Sequence, residues 1–304
     1  MYGEEMPRLV ELGDRGRLIV ATDMQGNLLD FQRVEAVFEE ACAAEGGATL
    51  VVTGDLVHGP EIPESHWPDY LGSFYRGESG ELLERAEALA KRHPGCVHYL
   101  LGNHEHAHVG GPIVSKFFPD EADRLEKILG GPRSLAVRQW LESWPLVALA
   151  RKSGLAMLHA APNAAIDGPG DLERIDIRVG GVPGELDPLL AEILWARTAS
   201  TGRARAFLRS LGETLTVAVY GHDVAREGYS IDREPLLCIS TSFGCFDGDK
   251  LYLDWDLSRR AESARQVAEL GLRPLYPQAQ PVYRELLPHE RTSASPRSIS
   301  SSVR

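Results

Sequence analysis

The run Leu101-Gly102-Asn103-His104-Glu105-His106 breaks directly out of an apolar segment, Cys96-Val97-His98-Tyr99-Leu100-Leu101, and constrains the fold more than any other stretch. A buried strand that ends in Gly, Asn and His places ligands at the carboxyl edge of a sheet, where open α/β folds keep their chemistry. Similar edges recur along the chain. Residues 17–22 run into Asp23-Met24-Gln25-Gly26-Asn27, residues 48–53 run into Gly54-Asp55, and two later apolar runs end at His159 and His222. Five strand ends therefore deliver oxygen or imidazole groups of the kind that bind metals.

The connections say how these edges meet. Between the first two lies a helical pattern with Phe31, Val34, Val37, Phe38 and Ala41 on one face, closed by Gly46-Gly47. Such a β-α-β unit forces parallel strands and brings Asp23 and Asp55 to the same edge of one sheet. Periodicity predicts further helices over residues 81–92, 120–129, 134–143, 189–196, 203–211 and 260–270. Residues 146–151 and 155–159, joined at Ser153-Gly154, read as a hairpin, and residues 235–241 with 250–256 read as a second. Parallel units early and antiparallel ones late are both satisfied by an α/β fold of two mixed β-sheets packed face to face with flanking helices, an α-β-β-α sandwich. We expect one domain over residues 1–287. Residues 162–188 read as irregular, and residues 288–304, Ser/Arg-rich and poor in apolar side chains, read as a disordered tail.

Composition narrows the function. A formal net charge of −12 opposes nonspecific binding to nucleic acid or to an anionic membrane surface. The four cysteines are widely spaced with no C-x-x-C pair, which reads as reduced thiols of a cytoplasmic protein. No apolar run approaches membrane-spanning length, and the amino terminus lacks the basic start and apolar core of a secretion signal.

Carboxylate, amide oxygen and imidazole at one edge suit divalent ions that activate water, and two ions side by side can clamp both oxygens of an in-line displacement. In that arrangement Asp55 is the natural bridge, Asp23 binds a first ion, and Asn103, His159 and His222 bind a second. His104 is then free to give a proton to the leaving oxygen. His106 and His108 read as solvated or as supporting residues. His58 has three readings of equal weight: it replaces a lost ligand, it pairs with His104, or it faces solvent.

The chain resembles the calcineurin-like metallophosphoesterases, and within them the phosphoprotein phosphatases of serine/threonine type. Thr22-Asp23-Met24-Gln25-Gly26-Asn27 approaches that family's GDxHGN, Gly54-Asp55-Leu56-Val57-His58-Gly59-Pro60 its GDxxDRG, and Gly102-Asn103-His104-Glu105 is an intact GNHE. Leu158-His159-Ala160-Ala161, Ile193-Leu194-Trp195, Gly221-His222-Asp223 and Ser242-Phe243-Gly244-Cys245 follow in the family's order, so the resemblance spans Leu18 to Leu257. It implies a binuclear divalent centre, of manganese first and of iron or zinc otherwise, with Asp23, Gln25, Asp55, Asn103, His159 and His222 as ligands. His104 and Asp55 would carry catalysis by hydroxide attack on a phosphomonoester of a protein or small molecule. Three departures stand out: Gln25 replaces a histidine ligand, His58 the aspartate that orients the acid histidine, and Gly59 the phosphate-gripping arginine. Arg197, Arg203 and His58 are the candidates to hold the substrate phosphate. The alternatives are a degenerate member acting as a binding or regulatory module, and a hydrolase of nucleotides or dinucleoside polyphosphates.

Overall fold

The computed structural model describes residues 7–178 and 186–293. Its strands in chain order are β1 (Leu9–Glu11), β2 (Arg17–Ala21), β3 (Ala48–Val52), β4 (Val97–Tyr99), β5 (Val147–Ala150), β6 (Leu155–Leu158), β7 (Val217–Tyr220), β8 (Tyr229–Ser230), β9 (Leu236–Ile239), β10 (Leu251–Asp256) and β11 (Leu272–Pro274). They form one five-stranded sheet, β11-β10-β2-β3-β4, and one six-stranded sheet, β1-β5-β6-β7-β9-β8. The helices are α1 (Leu28–Ala43), α2 (Ser79–Arg92), α3 (Asn103–His106), α4 (Glu121–Leu129), α5 (Gly131–Glu142), α6 (Pro169–Glu173), α7 (Pro188–Trp195), α8 (Thr201–Leu211), α9 (Ala264–Gly271) and α10 (Pro288–Ser293). Both sheets mix parallel and antiparallel pairs, as the sequence leads one to expect. No helix among the described residues is long and apolar enough to cross a membrane.

The strands are apolar on both faces because both faces are covered. Side chains alternate: Leu18 and Val20 of β2 join Leu155, Met157, Val217 and Val219 in the core between the sheets. Ile19 and Ala21 face the other way, into a core shared with Phe31, Val34 and Phe38 of α1 and Leu82 and Leu83 of α2. The parallel register Leu18↔Thr49 through Ala21↔Val52 brings Asp23 and Asp55 out at one edge, with β4 on the far side of β3 delivering α3 to the same place.

The second hairpin expected from the sequence does not form. β9 lies in the six-stranded sheet, parallel to β7, while β10 lies in the other sheet, antiparallel to β2. Apolar residues on both faces of β9 feed both cores, Leu236 and Cys238 into one and Leu237 and Ile239 into the other, so neither face is left for a two-stranded ribbon. The chain instead crosses between sheets, tied where the Thr22 amide donates to Thr241 Oγ1 at 3.0 Å and the Thr241 amide to Thr22 Oγ1 at 3.2 Å. Three strands, β1, β8 and β11, were not legible, being two or three residues long. The tail expected from residue 288 begins instead with α10, where the Leu287 amide donates to Glu290 Oε2 at 2.8 Å. Residues 294–304 of that tail lie outside the described residues.

A buried polar knot holds the entry to α1. Asp30 accepts from Lys250 Nζ and Asn27 Nδ2 at 2.8 Å each, and from Ser242 Oγ and Tyr276 Oη at 2.6 Å each. Removing one member of a buried ion pair strands the other charge, so Asp30→Ala is expected to cost about 3–5 kcal/mol, measured as a fall in the urea midpoint at unchanged slope.

Candidate active site and metal centre

Among the described residues, the non-glycine residues with positive φ are Asp23, Gln25, Asp55, His58 and His222, at φ 50, 41, 54, 67 and 67°. All five are residues that the sequence singled out. Strain of this kind persists only where the surroundings over-determine it. In the loop that carries Asp55 and His58 the Glu105 carboxylate does so: it accepts from the amides of Asp55 and Leu56 at 2.8 Å and from those of Val57 and Gly102 at 3.2 Å. Two glycines permit the close approach. A Cβ on Gly102 would stand 2.4 Å from Asp55 Oδ1, and one on Gly221 would stand 2.1 Å from Asp23 Oδ2.

One half of the expected centre is assembled. His159 Nδ1 donates to the Thr53 carbonyl at 2.9 Å, which fixes the tautomer and leaves Nε2 as a lone pair. That Nε2 lies 2.9 Å from Asn103 Oδ1, 3.1 Å from His222 Nδ1 and 3.5 Å from Asp55 Oδ1, and His222 Nδ1 lies 3.0 Å from Asn103 Oδ1. Acceptors crowd one point with too few protons to pair them, and His222 Nε2 is itself buried without a partner. A divalent cation fits this donor set. Burial, and then His159, hold His222 down to about 3. Burial opposes the charge on Asp55, yet His159, His104 and His222 pull its carboxyl below the ordinary range.

The other half differs. Both Asp23 oxygens accept from the His222 amide at 3.1 Å, and burial followed by the nearby Asp55 pushes the Asp23 carboxyl well up. Gln25 Oε1 accepts from Lys116 Nζ at 3.0 Å, and the Gln25 carbonyl accepts from Tyr75 Oη at 3.1 Å. With an amide for imidazole and that amide already engaged, this half does not offer the matching set of donors.

His104 lies between two carboxylates, Asp55 at the sheet edge and Glu121 of α4. Its amide donates to Asp55 Oδ1 at 3.2 Å, its Nε2 lies 3.8 Å from Asp55 Oδ2, and its Nδ1 lies 3.3 Å from Glu121 Oε2. Burial lowers its pKa, but Asp55 and Glu121 outweigh that and raise it overall. Of the three readings of His58, exposure to solvent is excluded: the ring is buried, with Nδ1 3.2 Å from His104 Nδ1. His106 and His108 are buried too, His106 Nε2 donating to the Ile177 carbonyl at 2.8 Å and His108 Nε2 meeting His58 Nε2 at 2.9 Å. Neither is solvated.

The substrate-binding candidates separate. Arg197 pairs with Asp223 at the exposed rim beside His222. Arg203 sits in the first turn of α8, exposed, with its amide donated to Ser200 Oγ, and no side-chain bond joins it to the cluster. Lys116 and Glu121 were missed. Both come from the stretch entering α4, which ends no strand, and a glutamate in a helix's first turn carries only a capping signal.

Residues 16–238 match the calcineurin-like phosphoesterase family. No curated protein matches the sequence. Among solved structures, the chain is similar to a protein serine/threonine phosphatase from Saccharomyces cerevisiae at 18% identity, with 82% of this chain and 77% of that one covered and a TM-score of 0.58. It is similar to a cold-active protein tyrosine phosphatase at 17% identity, with 82% and 75% covered and a TM-score of 0.54. A cold-active protein-tyrosine phosphatase of a psychrophilic Shewanella follows at 14% identity, with 83% and 78% covered and a TM-score of 0.51. At these identities the likeness to solved structures is one of fold.

The depressed histidines make an acid-stability prediction. A histidine whose folded pKa lies below its unfolded value stabilises the native state least at low pH, because the unfolded chain takes up the proton first. For His222 the window runs from 6.5 down to about 3. Chelator-treated protein is therefore expected to lose thermal stability steadily as pH falls through that window, with a shallower loss in His222→Asn.

Proposed function

We propose, for a chain that belongs to the calcineurin-like phosphoesterase family and is a metal-dependent hydrolase of phosphoester bonds, a phosphomonoesterase acting on phosphorylated protein side chains, of the serine/threonine type. The observation that carries the reading is the convergence of Asp55, Asn103, His159 and His222 acceptor atoms on one point at the sheet edge. We take the cation held there to be manganese, with iron or zinc as the other ions suited to imidazole and carboxylate. Asp23 and Gln25 offer a weaker second position. When bound, a divalent cation supplies a water of lowered pKa and neutralises charge on the phosphoryl oxygens.

The chain's own residues do the rest. Asp55, held anionic by the surrounding imidazoles, fixes the cation against the edge. His104 turns Nε2 toward the same edge and gives its proton to the leaving oxygen, a role that its raised pKa supports. Lys116 takes the part of the arginine that Gly59 lacks. Its side chain starts exposed, crosses the face of Phe243 with Nζ 3.7 Å from the ring centroid, and ends at Gln25 beside the two aspartates. An ammonium held beside the two aspartates is suited to drawing in a phosphate dianion. The four thiols carry no disulfide, in keeping with a cytoplasmic location.

The test is hydrolysis of an aryl phosphate by chelator-stripped protein titrated with Mn²⁺, with Asp55→Asn as the blank. Activity is expected to rise with metal and to vanish in the blank. His104→Asn should lower kcat by about 10²–10⁴-fold, and Lys116→Ala should raise KM by about tenfold or more with a smaller change in kcat. A flat response to Mn²⁺, Fe²⁺ and Zn²⁺ from folded protein sinks the proposal. Comparing kcat/KM on phosphoserine peptides, phosphotyrosine peptides and a dinucleoside polyphosphate then assigns the substrate, and preference for either of the last two overturns the serine/threonine part.

A further inference from the structure

Three ligand atoms outside the cation position just described meet in the interior: His58 Nδ1, His104 Nδ1 and Glu121 Oε2, separated by 3.2, 3.3 and 3.4 Å. Their side chains are 2, 4 and 1% exposed. We propose that these three residues form a second cation site, one that takes a borderline-soft ion such as Zn²⁺ or Co²⁺ in place of the position weakened by Gln25.

Protons decide the argument. Glu126 Oε1 lies 3.1 Å from His108 Nδ1 and, as a carboxylate, accepts from it. In the neutral His108 ring Nε2 is then a lone pair, and the contact of 2.9 Å with His58 Nε2 is a hydrogen bond with the proton on His58 Nε2. His58 Nδ1 is therefore a lone pair as well. Glu121 Oε1 is taken up by the Phe117 amide at 2.5 Å, whereas Oε2 is buried with no hydrogen-bond partner. A single proton on His104 Nδ1 would face two acceptors at once, at separations longer than the ~2.7–2.9 Å of charge-assisted bonds. A cation faces no such conflict. Tetrahedral zinc with ligands at about 2.0–2.1 Å sets neighbouring donor atoms about 3.3–3.4 Å apart, which is the spacing seen here.

The surroundings support each ligand. His58 is oriented by His108, Glu121 by the Phe117 amide, and His104 by its own amide on Asp55, as outer partners orient ligands in metal sites. Two imidazoles and a carboxylate leave a fourth position open. A cavity lined by His58, Glu61, Glu78, Glu81, Glu121 and Arg124 adjoins the triad, and with Glu61 paired to Arg124 the carboxylates of Glu78 and Glu81 leave its wall acidic, which favours a cation's entry. A cation on Nδ1 takes the place of any proton there and leaves a neutral ring with its N–H at Nε2, facing Asp55, so the acid form of His104 is the one with the triad empty.

The measurement is the number of Co²⁺ ions bound by chelator-stripped protein, followed by equilibrium dialysis and by the visible absorption of four-coordinate Co²⁺. Wild type is expected to bind about two equivalents, and Glu121→Gln and His58→Asn about one each, with loss of the absorption belonging to the missing ion. Asparagine tolerates the left-handed backbone at 58 but is too short to reach the triad. His159→Asn is expected to lose the other ion and keep this one. Far-UV circular dichroism confirms that each variant is folded. If both Glu121→Gln and His58→Asn bind as many ions as wild type, the triad is a hydrogen-bonded group and the proposal falls. Because the readout is binding and not turnover, it stands apart from the phosphatase reading, which fails only if wild type loaded with metal hydrolyses nothing.

Discussion

The Glu105 carboxylate is the interaction on which the site depends. By gathering the amides of Asp55, Leu56, Val57 and Gly102 it locks the loop leaving β3 to the turn leaving β4. Asp55 and His58 can then hold left-handed backbone conformations that free loops would relax. The arrangement carries tension of its own. Burial, and then the neighbouring Asp55 charge, push the Glu105 carboxyl up to about 7, although the amides it holds call for an anion. A cation on Asp55 reduces the repulsion between the two carboxylates. Metal binding and the integrity of this loop clamp are thus parts of one equilibrium.

The same logic explains why the edge was so legible. A parallel strand buried on both faces must be apolar, so the first polar residue after it is conspicuous, and Asp23, Asp55, Asn103, His159 and His222 all stand at such ends. The topology then needs little further information, since β-α-β crossovers put successive carboxyl ends on one side. The sequence reading failed where tertiary packing decides. β9 and β10 read as a hairpin because both are apolar with glycines between them, and only the division of their side chains between two cores sends them into different sheets. Arg203 reads as a candidate by its charge, yet in the first turn of α8 it is exposed and no side-chain bond joins it to the cluster.

Glu121 and Lys116 were illegible for a related reason. Each reaches the centre from a segment that covers the edge rather than from a strand that ends at it, and its partner lies far away in sequence. Lys116 binds Gln25, 91 positions earlier. Such pairings leave no local period, and a glutamate in a helix's first turn or a lysine in a loop is ordinary surface chemistry until the fold is known. Position 58 shows the converse limit. Its histidine was recognisable as a departure, but the choice among pairing, ligation and exposure depended on His104, His108 and Glu121 arriving around it.

These departures form a set. Replacing a ligand histidine by Gln25 removes imidazole from the Asp23 side, and the Lys116 ammonium there supplies a positive charge that needs no metal-binding donors. On the other side of Asp55, replacing a carboxylate by His58 adds an imidazole, and Glu121 brings a carboxylate back from a different element. The donors removed from one flank have counterparts on the other. Asp55 lies between them, with His104 Nε2 3.8 Å from its Oδ2 and His159 Nε2 3.5 Å from its Oδ1. In the bridging role that we propose for it, Asp55 is met by positive charge from either flank, the Lys116 ammonium on one side and a cation at the proposed triad on the other.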